Sequence, residues 1–291
     1  RMYAVEPPSE SAFRVQCILE VRDADGHVGY VSGANGECSS IGNSICAERA
    51  ALIKLREMPG CEPAALYLIS DNGDACLSCG PLCREFLAEH MSEDASLHFA
   101  SADLSDTQTT TLRELYPFRS LYAGVPGPES AAFGEQVSLV AEEYRPGDAL
   151  WAELAERVRL ETEAEAHKDV LHPIRYAAGV ILEDGSVLVE RQRRAVEYGN
   201  TLDAVTALIP LLERAEAEPV FAIMMDQFGL MHAPFATARA LLYESGFLEL
   251  TFGVHDYWSY KEGDDEMHRI VEVSVRELLP DPPNMRELFS A

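Results

Sequence analysis

Short apolar runs broken by turn residues alternate along this chain with stretches of helical spacing. Residues 14–22 and 28–32 are apolar and β-branched, and Asp23-Ala24-Asp25-Gly26 between them reads as a hairpin turn. Residues 45–57 repeat at the helical period, 65–70 form a short buried strand, 82–91 a second helix and 97–101 a further strand. This order predicts an α/β fold, an α/β/α sandwich around a central mixed sheet.

The pattern occurs twice. Gly42-Asn43-Ser44-Ile45-Cys46-Ala47-Glu48-Arg49-Ala50-Ala51-Leu52-Ile53 returns as Gly199-Asn200-Thr201-Leu202-Asp203-Ala204-Val205-Thr206-Ala207-Leu208-Ile209. Glu62-Pro63 returns as Glu218-Pro219, Cys83-Arg84-Glu85-Phe86-Leu87 as Ala238-Arg239-Ala240-Leu241-Leu242, and Leu112-Arg113-Glu114-Leu115-Tyr116-Pro117 as Val275-Arg276-Glu277-Leu278-Leu279-Pro280. Four matches in one order imply two copies of one domain. The Gly- and Pro-rich stretch 124–130 reads as a loop, and 148–167 as a charged helix without a counterpart in the first copy. The expected division is residues 1–125, a linker over 126–147, and 148–291.

Composition narrows the function. A formal net charge of -26 disfavours a phosphate backbone as partner and favours a small neutral substrate. No apolar run approaches the roughly 20 residues of a membrane span. All seven cysteines fall in the first third of the chain, an odd, clustered set that argues for reduced thiols and a cytoplasmic protein. The sequence begins at Arg1, so an upstream segment, organelle targeting included, stays open.

The chemistry concentrates in Cys46-Ala47-Glu48, early in one helix, and Cys79-Gly80-Pro81-Leu82-Cys83, at the start of another. A catalytic zinc takes three protein ligands and leaves a fourth place for water, and Cys46, Cys79 and Cys83 supply three thiols. Helix N-termini favour the thiolate form. Glu48, two residues past a ligand, is placed to shuttle protons rather than to bind, the arrangement of zinc base deaminases. Cys76 with Cys79 makes an alternative C-x-x-C pair, and a structural zinc or no metal is the plainer alternative. Cys17, Cys38 and Cys61 read as small buried hydrophobes, His232 as a surface or interface residue, and Tyr257-Trp258-Ser259-Tyr260 as core or interface packing.

The chain resembles the cytidine deaminase family. Ser11-Ala12-Phe13-Arg14-Val15 resembles its S-x-F-x-V, Gly33-Ala34-Asn35-Gly36-Glu37 its G-x-N-x-E, Ile45-Cys46-Ala47-Glu48-Arg49-Ala50-Ala51 its I-C-A-E-R-x-A, and Leu112-Arg113-Glu114-Leu115-Tyr116-Pro117 its L-x-E-L-x-P. The resemblance covers residues 11 to about 120 and, more weakly, 172 to 285. It implies zinc-dependent hydrolytic deamination of cytidine or deoxycytidine in pyrimidine salvage, with one Zn2+ per chain. It assigns Asn35 and Glu37 to the ribose hydroxyls, Phe13 to the pyrimidine face, the Ala47 backbone to the base, and Arg49 to a ligand thiolate.

The departure is at the second ligand motif: the family has P-C-x-x-C where this chain places three residues between Cys79 and Cys83. In the second copy Asp203, Val205 and Ala238 replace Cys46, Glu48 and Cys83, so a degenerate, non-catalytic copy is expected, and the family resemblance implies a homodimer. A deaminase of a modified nucleoside such as blasticidin S, or an inactive nucleoside-binding protein, are the alternatives. Neither nucleic acid nor membrane is expected as a partner.

Overall fold

The structure, a computed structural model, describes residues 5–73, 75–138, 144–164, 169–256 and 269–283. The chain divides into two compact units. The first runs to Pro117 and resumes at Pro280, and the second is Phe118–Leu279.

In the first unit, β1 (Val15–Arg22) and β2 (Val28–Ala34) form the expected hairpin. With β3 (Glu62–Ser70), β4 (Ser96–Ala100) and β5 (Thr107–Thr111) they make a five-stranded sheet of order β2-β1-β3-β4-β5. Only β3 and β4 run parallel. Helices α1 (Ala47–Leu55) and α2 (Pro81–Ala88) begin and end near their expected limits, and the short α3 (Leu112–Leu115) follows β5. Alternate strand residues point to one face, so Leu19, Leu66, Leu68, Leu97 and Phe99 are buried with Ala51, Leu52 and Leu87 of the helices.

The second unit opens with α4 (Gly127–Gln136) and α5 (Ala149–Ala164). It continues through β6 (Tyr176–Leu182), β7 (Val187–Arg191), α6 (Ala204–Leu212), β8 (Pro219–Asp226), β9 (Met231–His232), α7 (Ala236–Glu244), β10 (Thr251–His255), β11 (Ile270–Ser274) and α8 (Val275–Leu278). Its sheet order, β7-β6-β8-β10-β11, repeats that of the first unit, with β9 added beside β8. The likeness reaches small features. A register shift at Glu20/Val21 in the pairing of β1 with β3 recurs at Ile181/Leu182 in that of β6 with β8. Capping boxes at Thr111/Glu114 and Ser274/Glu277 open the two short helices. The duplication is therefore structural.

Two expectations need correction. The stretch 126–147 is not a free linker, because Gly127–Gln136 is helical and Val137 is buried in the second unit's core. Pro128 in the first helical turn explains the error: proline there starts a helix rather than breaking one. The first boundary falls at Pro117 rather than 125, and the described residues from Pro280 on, 280–283, belong to the first unit.

Helix α5 lays Trp151, Leu154 and Val158 on Ala177, Phe221, Ile223 and Met225, the sheet face opposite α6 and α7. Among the described residues of the first unit no helix covers the matching face, where Tyr30 is 66% exposed and Tyr67 stacks on His98. The expected end of α5 at His167 and the aromatic cluster 257–260 lie outside the described residues. No helix of the described residues is long and apolar enough to cross a membrane.

One contact fixes α1 on its sheet. A Cβ at Gly33 would stand 2.3 Å from the Ala47 carbonyl oxygen and 2.4 Å from the Ala51 nitrogen, so only glycine lets β2 approach the helix backbone this closely. Gly33→Ala is expected to cost about 2 kcal/mol or more in denaturant titration, since the helix must shift. Gly42→Ala, where a Cβ meets nothing within 4 Å, should stay within about 0.5 kcal/mol of the parent.

Candidate active site

Two helix starts converge in the first unit. Cys46 is the N-cap of α1, with Ala47 and Glu48 in the first turn. Gly80 is the N-cap of α2, Pro81 occupies its first position, and Cys83 follows two residues later. Cys79 and Cys83 are buried, Cys46 is half-buried, and Glu48 is only 3% exposed. Cys46, Glu48 and Cys83 offer ligand atoms that all lie within 4.8 Å of one another, a group that could hold a metal ion.

Cys79 stands outside that group. The extra residue between Cys79 and Cys83 puts Cys79 before the α2 N-cap while Cys83 sits inside the first turn. Cys76 faces elsewhere: its backbone N–H and its thiol both meet the Asp106 carboxylate, and burial pushes that thiol up to about 11.

The electrostatics follow from burial. Desolvation raises the Glu48 carboxyl above its ordinary range, against the hydrogen bonds that favour its charge. The hydrogen bond between the two thiols holds Cys46 down to about 7, toward its thiolate, and pushes Cys83 up. The Arg49 guanidinium supports that charge, with Nη2 3.7 Å from Cys46 Sγ and 3.1 Å from the Ser44 carbonyl oxygen. Thiols beside a carboxylate suit a thiophilic divalent cation, and the nearby guanidinium offsets the thiolate charge.

A cavity of about 330 Å³ opens beside this cluster. Its lining unites six residues expected from the sequence: Phe13, Asn35, Glu37, Cys46, Ala47 and Glu48. Asn35 is engaged by the backbone, accepting from Val15 N–H at 2.8 Å and donating to the Phe13 carbonyl at 2.9 Å. An amide keeps one further donor and acceptor, so Asn35 both sets the Phe13 segment and faces the cavity. Glu37 accepts from the backbone N–H and the hydroxyl of Ser11, which holds its carboxyl below the usual range.

A cytidine deaminase of Halalkalibacterium halodurans is 31% identical to this chain over 107 residues, which span 37% of this chain and 76% of that protein. The chain belongs to the cytidine deaminase family. No family model matches it. Solved structures similar to it include the cytidine deaminase of Mycobacterium leprae, 19% identical over 46% of this chain and 99% of that one, at a TM-score of 0.37. That of Burkholderia pseudomallei is 21% identical over 40% and 91%, at 0.34.

For a family member the second unit is informative. Gln192 N–H bonds Tyr176 O as Asn35 N–H bonds Val15 O, and Arg239 Nε bonds Pro234 O as Arg84 Nε bonds Cys79 O. These matches set Pro234 in the place of Cys79, beside the replacements already read at Asp203, Val205 and Ala238. Asp203 caps α6 by accepting from Thr206 N–H. His232, expected at a surface, is instead buried against Asp226 at 2.9 Å, and Tyr122 Oη meets the same carboxylate.

Sequence reasoning missed several residues. Leu68, Ser70, Leu77 and Pro283 also line the cavity. Ser70 was within reach, because it precedes Asp71, whose carboxylate accepts from Arg14 N–H and Nε of the Ser11-to-Val15 motif. Of the three cysteines read as buried hydrophobes, Cys17 is buried, Cys61 is half-buried and Cys38 is exposed. Fully buried Arg84 donates to the carbonyls of Cys79 and Leu115 and, beyond the second copy, of Pro280 and Asp281. Metal analysis after Cys76→Ser should leave any bound metal unchanged, whereas Cys83→Ser should remove most of it.

Proposed function

We propose that the first unit is a zinc-dependent hydrolytic deaminase of cytidine or deoxycytidine, with the second unit as its non-catalytic partner. The observation that carries this reading is a buried carboxyl, Glu48, at the meeting point of two helix-start thiols and a nucleoside-sized cavity. Cys46 and Cys83 would hold the zinc, with buried Cys79, just before the α2 N-cap, as the third thiol. When bound, zinc supplies a Lewis acid that lowers the pKa of water.

The remaining work falls to the chain's own groups. Phe13 would pack on the pyrimidine face, the free donor and acceptor of Asn35 and the Glu37 carboxylate would bind the ribose hydroxyls, and the Ala47 backbone would hold the base edge. The Glu48 carboxylate would take one proton from the attacking water and hand it to the ring nitrogen, then take the hydroxyl proton of the tetrahedral adduct and give it to the amine, which leaves as ammonia. Burial raises its affinity for a proton, which makes it a better base toward water and supports that task. Arg49 would offset the negative charge collected on the thiolates.

Burial and the Asp203 cap support a structural role for the second unit, since no thiol stands where Cys46, Cys79 and Cys83 stand in the first. Homodimerisation, pyrimidine salvage and a cytoplasmic location belong to the same proposal.

Glu48→Gln separates shuttle from ligand. The variant should keep its zinc by elemental analysis and lose turnover of cytidine by at least about a hundredfold. Normal turnover would remove Glu48 from the mechanism. Turnover of another aminated nucleoside, with none of cytidine by the parent protein, would move the assignment to that substrate.

A further inference from the structure

The cavity holds a polar group to which neither the family motifs nor the proposed mechanism gives a task. Ser70, the last residue of β3, is 1% exposed and lines the cavity, and its hydroxyl has no hydrogen-bond partner among the described residues. An unpaired buried hydroxyl is costly, and a wall of Val15, Leu68 and Leu77 would be served as well by alanine. The hydroxyl therefore calls for a partner that arrives with the ligand.

Register locates it. Ser70 lies opposite Val15 on β1, and Leu68, two residues earlier on the same face, lies opposite Cys17. Leu68, Ser70 and Glu48 line the same cavity, so this end of β3 faces the space beside the reacting carboxyl. Asn35 and Glu37 follow β2, on the far side of β1, roughly two strand spacings or 10 Å away. The ribose candidates and Ser70 thus occupy opposite flanks of the cavity.

The second unit gives an independent indication of where this side chain points. Asp226 holds the same register position, opposite Tyr176 as Ser70 is opposite Val15. Its carboxylate reaches inward to accept from Tyr122 Oη at 2.5 Å and to meet His232 Nε2 at 2.9 Å. In one unit this position is satisfied by protein groups, and in the other it is open to the cavity.

We propose that Ser70 is a substrate-binding residue whose hydroxyl hydrogen-bonds a polar atom of the bound pyrimidine. The inference rests on the nucleoside reading of the site and adds the group that senses the base from the β3 side. Its energetic signature is a trade: the free protein bears the unpaired hydroxyl, and the complex satisfies it.

The test compares the parent with Ser70→Ala and Ser70→Thr, using calorimetric titration with uridine, the unreactive product, after elemental analysis has established equal metal content. Ser70→Ala should bind uridine about fivefold more weakly, the effect of one neutral hydrogen bond, while its melting temperature without nucleoside stays level or rises. Ser70→Thr, which keeps the hydroxyl, should recover most of the affinity. Unchanged affinity in Ser70→Ala would overturn the assignment and leave the deaminase reading standing. A lowered melting temperature with unchanged affinity would make the hydroxyl structural and overturn it equally. A parent protein that binds no uridine would overturn the nucleoside reading itself.

Discussion

The candidate site depends on how closely the backbone of α1 can approach β2. Gly33 is where that distance is set, because any side chain there would strike the Ala47 carbonyl and the Ala51 amide. The close approach seats the first turn of α1 against the sheet and carries the Glu48 carboxyl out of water, which raises its proton affinity. The same turn presents Cys46 to Cys83. A carboxyl and two thiols packed this tightly would be unfavourable in a structural core, so their burial fits the proposed cation site.

A second constraint, the buried guanidinium, is common to both units. Arg84 and Arg239 each bond the carbonyl five residues earlier and a carbonyl at the end of the following short helix. Five fixed donors on one planar group tie together segments that have no other ladder to hold them. What the two copies share is therefore scaffold: sheet order, bulge, capping boxes and arginine clamp. What they do not share is the lining. Thiols, a buried carboxyl and an open serine in the first unit stand against proline, valine, alanine and a Tyr122–Asp226–His232 network in the second.

Much of this was legible in the sequence because it is local. The hairpin at 23–26, the helix starts at Cys46 and Pro81, and the repeat follow from turn residues, caps and periodicity. Six cavity residues were readable because the motifs fix them at set distances along the chain. The linker was misread because Gly and Pro at 124–128 serve a helix start as well as a loop, and only packing of Val137 decides between them. The return of the chain to the first unit at Pro280 rests on carbonyls bonded by Arg84, which leave no trace in side-chain pattern. His232 was misplaced because its partner, Asp226, becomes a neighbour only through the β8–β9 pairing. Cys79 shows the limit of spacing arguments: four residues apart on one helix would have aligned it with Cys83, but it precedes the N-cap and lies outside the helix.

The central claim is a single zinc-bearing deaminase site per chain. Elemental analysis of the purified protein, read alongside the ultraviolet loss of cytidine by the same sample, tests it most directly. The account predicts about one zinc per chain with cytidine converted to uridine. A preparation with no zinc and no turnover, although correctly folded, would contradict it.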